Sequence, residues 1–107
     1  MNSRRLFDMI THQQSLALVL KRLKILGREL AKPELEKAGE QTRLFGDGAC
    51  LDSMGLVTLI VDLEEDIYRE LGARVSLADE RAMSRLTSPF RSVNQLATYI
   101  WETLNSH

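Results

Sequence analysis

The sequence predicts an all-α fold: a bundle of three main helices and one short helix, with a long loop between the first and second. Three observations carry this reading. Apolar residues recur at three- and four-residue spacing in three separate segments, without the strict alternation of a half-buried strand. Helix start and stop signals bound those segments. Aromatics make up only 6% of the chain, so aliphatic side chains, leucine above all, must build the core, and leucine favours helix. A chain of 107 residues suits one small domain, read as an N-terminal arm over 1–10 and a helical domain over 11–105.

The first helix is expected from about Thr11 to Lys32. Leu16, Val19, Leu20, Leu23, Ile25, Leu26 and Leu30 recur at helical spacing, Thr11 is a candidate N-cap, and Pro33 should stop the helix. Pro33 to Leu51 reads as the long connection, with a short helical turn around Glu34 to Ala38. Gly39, Gly46 and Gly48 favour turns, and Leu44 and Phe45 should pin the loop to the core. The second helix is expected to start at Asp52 or Ser53 and to end near Leu71 at Gly72. Leu56, Leu59, Ile60, Leu63, Ile67 and Leu71 form one apolar face, while Met54, Val57, Val61 and Tyr68 form a neighbouring strip that needs its own partner. A short third helix is expected within Val75 to Leu86, with Leu77, Met83 and Leu86 packing inward. Ser92 and Gln95 match a capping box for the last helix, whose apolar stripe is Val93, Leu96, Ile100 and Leu104, with Trp101 beside it. Leu16, Leu20, Leu23, Leu59, Leu63, Ile67, Leu96 and Ile100 are the expected core, with an inter-helix cavity able to admit a short apolar chain.

Charge is unevenly placed. Seven basic side chains stand against two acidic ones up to Lys32, and six acidic against one basic between Asp52 and Glu70. The net charge of −1 argues against a nucleic-acid partner. Cys50 is the single cysteine, so no internal disulfide can form, and it reads as a small packed residue rather than a reactive thiol. No run approaches the ~18 apolar residues of a membrane span, and no signal-peptide pattern opens the chain. A monomer in a reducing cytoplasm is the expectation.

Catalysis is disfavoured. A serine nucleophile needs a base beside it, and the two histidines, His12 and His107, stand near opposite ends of the chain. One cysteine and two histidines form no metal-ligand spacing, so no metal is expected.

The informative stretch is Leu51-Asp52-Ser53-Met54-Gly55-Leu56, followed by Val57 to Glu65 with its Leu63-Glu64-Glu65 ending. It places an exposed hydroxyl at a helix N-terminus, where free amides and the helix dipole favour a phosphate. Asp52 can cap that helix. The stretch resembles the prosthetic-group site of acyl carrier proteins, whose Asp-Ser-Leu core opens an acidic helix. Phe90-Arg91-Ser92-Val93 and Ala97-Thr98-Tyr99-Ile100 resemble that family's final helix, so the likeness spans roughly 11–105. Specificity lies in the combination, since Asp-Ser-Met alone carries almost none.

The resemblance implies a carrier domain that is not an enzyme. Ser53 would receive 4′-phosphopantetheine from coenzyme A through a phosphopantetheinyl transferase, with Asp52 helping that enzyme place the serine. Acyl groups would ride the arm as thioesters between acyl-loading and acyl-processing enzymes. Met54, Val57 and Val61 would form an apolar contact strip, and Glu64 and Glu65 would meet basic patches on those partners. Two departures, Gly55 and Thr58 where the family often has acids, point with the basic first helix to a specialised fatty-acid- or polyketide-type pathway. An aminoacyl or peptidyl carrier is the nearest alternative, disfavoured by Ala49-Cys50-Leu51 before Asp52-Ser53. An unmodified helical interaction module is the alternative from another class.

Overall fold

The computed structural model describes residues 10–46, 48–78 and 89–105. Among them lie four helices and no strand: α1 (His12–Glu29), α2 (Pro33–Glu36), α3 (Ser53–Leu71) and α4 (Val93–Asn105). The helix start at Thr11 is a full capping box. Thr11 Oγ1 accepts the Gln14 amide at 3.1 Å, and Gln14 Oε1 accepts the Thr11 amide at 2.8 Å.

The end of α1 differs from expectation. Pro33 does not stop it; the helix closes at Glu29, and Pro33 opens α2. Closure uses paired carbonyls: the Lys32 amide donates to Gly27 O at 2.8 Å and the Ala31 amide to Arg28 O at 3.3 Å. Ala31 therefore sits at φ 56°, a left-handed conformation that an L-residue with a Cβ resists. Ala31→Gly is expected to stabilise the fold by up to about 1 kcal/mol, read as a higher urea midpoint at unchanged m. Early closure leaves Leu30 exposed rather than on the core stripe.

Gly27 explains how α2 folds back so tightly. A Cβ there would stand 2.9 Å from the Glu36 amide nitrogen and 3.0 Å from Leu35 Cβ, so only glycine admits the approach. Leu35 is fully buried as a result. Gly27→Ala is expected to cost about 1–3 kcal/mol through overpacking, in a chemical denaturation series. Helix propensity alone predicts a gain of about 1 kcal/mol, so the sign of the change decides between the two effects.

The core holds Leu23, Leu59, Leu63, Ile67, Leu96 and Ile100, as expected, all fully buried. Leu16 and Leu20 are only partly buried. The buried face of α1 instead runs through Ser15, Leu18, Val19, Leu23, Leu26 and Gly27. Small Ser15 and Gly27 lie on that face, where counting leucines does not look. On α3, Leu56, Leu59, Ile60, Leu63 and Ile67 are buried, with Leu71 half-buried behind them. The α4 stripe of Val93, Leu96, Ile100 and Leu104 is buried, and Trp101 lies beside it partly exposed.

The segment from Val75 to Ala78 is not helical, and Leu77 is fully buried. The remainder of the expected third helix, with Met83 and Leu86, falls in 79–88, outside the described residues. The short helix that is described is α2, where the helical turn of the first loop was expected. An arm over 1–10 likewise lies outside the described residues except for Ile10, whose carbonyl accepts Asn105 Nδ2 at 3.1 Å.

The unequal charge of the first and second main helices is used inside the fold. Arg22 meets Asp66 through two bonds, Nε to Oδ2 at 2.8 Å and Nη2 to Oδ1 at 2.7 Å. Asp62 stands 3.8 Å from the same guanidinium, and Lys21 meets Glu70 at 3.3 Å. Asp62, Asp66 and Glu70 are four residues apart, so they form one edge of α3 that faces α1.

Candidate functional site

The long loop places the start of α3. Thr42 to Leu44 lies against the segment before α4: the Leu44 amide donates to Arg91 O at 2.7 Å and the Val93 amide to Thr42 O at 3.0 Å. The Leu51 amide then donates to Leu44 O at 3.2 Å, and the Cys50 amide to Arg43 O at 3.3 Å. Lys32 Nζ, from the N-cap residue of α2, donates to Cys50 O at 3.0 Å. Leu44 and Leu51 are buried beneath these bonds. Phe45, expected to help pin the loop, is exposed instead. Three parts of the chain thus fix the residues immediately before Asp52.

Asp52 is the N-cap of α3. Its backbone is extended, and Oδ1 accepts the Gly55 amide at 2.8 Å. Ser53 is the first helical residue and is exposed. With Gly55 and Leu56 amides bonded to Asp52, the Ser53 and Met54 amides have no hydrogen-bond acceptor among the described residues. Their donors and the dipole of a 19-residue helix converge beside the Ser53 hydroxyl.

Gly55 has a role that its helix propensity hides. It is buried, and a Cβ there would lie 3.0 Å from Leu51 Cδ2 and 3.3 Å from Asp52 Oδ1. Its small size lets Leu51 fold under the first turn while Asp52 keeps its cap. An acidic side chain at this position would have to displace both. The absence of a side chain at Gly55 thus suits the close packing of this turn.

Met54, Val57 and Val61 are 77%, 51% and 49% exposed, and Tyr68 continues the same line. This strip is not core. Glu64 is committed elsewhere: its Oε2 accepts the Leu77 amide at 2.7 Å, tying α3 to the chain beyond it. Glu65 is exposed and stands 3.7 Å from Arg69. Thr58 turns its hydroxyl onto its own helix, donating to Met54 O at 3.0 Å.

Among the described residues, no side chain that could act as a base is bonded to Ser53. His12 Nε2 instead meets Thr98 Oγ1 at 2.8 Å, and its ring packs edge-on to Trp101. Burial pushes the Cys50 thiol above its ordinary pKa, Glu34 adding to the shift and Lys32 opposing it. Among the described residues no three His, Cys, Asp or Glu side chains gather to hold a metal ion. An apolar cleft of 220 Å³ between Ile10, Leu18 and Leu71 lies at the C-terminal end of α3. Ser53 is some 25 Å away along the helix, so this cleft is not a cargo cavity beside the site.

No helix among the described residues is long and apolar enough to cross a membrane. No family model, curated protein or solved structure matches the chain.

Proposed function

We propose that this chain is an acyl-carrier-type protein that bears a phosphopantetheine arm on Ser53. One observation carries the reading: an exposed serine at the first position of a long helix, with an aspartate cap before it and an exposed apolar strip after it. The resemblance of 51–65 and 90–100 to carrier proteins supplies the chemistry. In the transfer, Ser53 Oγ loses its proton and bonds to the phosphorus that bears pantetheine. The pyrophosphate bridge of coenzyme A breaks, and adenosine 3′,5′-bisphosphate leaves.

The site's residues fit such an arm. The Ser53 and Met54 amides can donate to the phosphodiester oxygens, and Met54 can lie along an apolar part of the arm. The arm, when bound, supplies a thiol that holds an acyl group as a thioester. The protein presents that group and makes no bond to it. The order of partners begins with the phosphopantetheinyl transferase and continues with acyl-loading and acyl-processing enzymes, in a specialised fatty-acid- or polyketide-type pathway.

A fluorescent coenzyme A conjugate and a broad-specificity transferase test the reading. Wild type should label and Ser53→Ala should stay dark. A second reading is favoured by the exposed line from Met54 to Tyr68: an unmodified module that docks through this strip. It predicts folded wild type that takes no label.

A further inference from the structure

On the carrier reading, we infer that partner enzymes meet α3 with an apolar, uncharged groove, and that the helix's carboxylates do not select them. The charge pattern of the folded chain carries this inference. Between Asp62 and Glu70 every carboxylate has a partner in the same molecule. Asp62 and Asp66 share Arg22, Glu70 meets Lys21, Glu65 stands by Arg69, and Glu64 holds the Leu77 amide. One edge of α3 is thereby paired with cations of α1, and the other is tied to the chain around Leu77.

Between those edges runs a ridge that is apolar for most of its length. Met54, Val57, Val61 and Tyr68 follow offsets of three, four and seven residues, so they line one side of the helix over some 21 Å. Its far end is closed by Arg74, whose guanidinium lies 4.6 Å from the Tyr68 ring centre. A 260 Å³ cleft lined by Val61, Glu64, Glu65, Tyr68, Arg74 and Val75 gives that end a concave step, its two carboxylates already engaged by the Leu77 amide and Arg69. Gly55 and Thr58 remove the carboxylates that would have stood nearest Ser53. A partner that places a row of cations here would pay desolvation without finding an unpaired anion to meet. An apolar groove of the same length matches the ridge.

Electrostatic steering shows itself as salt dependence, because mobile ions screen it. The test is the affinity of Ser53→Ala for a transferase that modifies the wild type, titrated by calorimetry at low and high salt. Ser53→Ala keeps the ridge and cannot react, so docking is read apart from modification. The Kd is expected to rise less than about threefold between ~50 and ~500 mM salt. Val61→Asp, or independently Val57→Asp, placed on the Ser53→Ala background, should weaken it by at least about tenfold, and Glu65→Gln by less than about twofold. A rise of tenfold or more with salt overturns the inference. So does a Glu65→Gln loss as large as that of Val61→Asp, or an unchanged Kd in both aspartate variants. Failure of the carrier reading is separate, since it appears as wild type that takes no arm at any enzyme concentration.

Discussion

Asp66→Ala is expected to destabilise the fold by about 3–5 kcal/mol, the loss typical when one member of a buried ion pair is removed. In a domain of this size that lowers Tm by roughly 12 °C or more. The Arg22 side chain is 15% exposed and that of Asp66 10%, so water replaces the missing carboxylate only in part. The two hydrogen bonds from Arg22 to Asp66 are the largest cause of a raised Arg22 pKa, outweighing burial, which acts the other way. The guanidinium stays charged without its partner, leaving a cation stranded between α1 and α3. Asp62 at 3.8 Å recovers part of the loss, which places the result at the lower end of the range. Replacing both partners by aliphatic side chains is expected to lie much closer to wild type, because no charge is then left buried. Thermal melts of the two single variants and the double variant measure this coupling. A loss below about 1 kcal/mol in both singles would contradict it, since exposed pairs have that magnitude.

Removing the Asp52 charge is expected to slow attachment at Ser53 by at least about tenfold while leaving the fold intact. Asparagine and aspartate cap helices about equally well, so Asp52→Asn should hold stability to within ~0.5 kcal/mol. Asp52→Ala loses the bond to the Gly55 amide and should cost about 1 kcal/mol as well. The pair of variants separates two roles of one side chain. If charge helps a transferase place the serine, both variants fall in kcat/KM by similar factors. If the aspartate serves as a cap alone, Asp52→Asn keeps full transfer and only the alanine variant suffers. Ser53→Ala gives no transfer in either case. Circular dichroism on each variant ensures that the comparison is made between folded proteins.

Much of this architecture was legible because it rests on local signals. The Asp52 cap, the Gly72 terminator at φ 70° and the apolar face of α3 follow from residue type and spacing. Thr11 was readable as an N-cap, and the structure adds Gln14 to complete a capping box. What spacing could not give was long-range. The early end of α1 depends on α2 packing against Gly27, and the sequence offers only a glycine inside a helical pattern. The excess of cations on α1 and of anions on α3 was legible as uneven charge only, because composition does not say that Arg22 reaches Asp66 across forty-four residues. Gly55 shows a similar limit: its propensity is a local property, and the Leu51 side chain beneath it is a packing one. At the site, Ser53, Asp52 and the exposed strip were legible in the sequence. The bonds from Lys32, Arg43 and Leu44 that fix the approach to Asp52 were not.

The most direct test of the central claim is an intact mass. Folded protein is incubated with coenzyme A and a broad-specificity phosphopantetheinyl transferase, and the product is fragmented to locate any addition. The account predicts a gain of one phosphopantetheine, carried by the peptide containing Ser53 and missing from Ser53→Ala. An unchanged mass, with the same enzyme active on a known carrier in a parallel reaction, would contradict it.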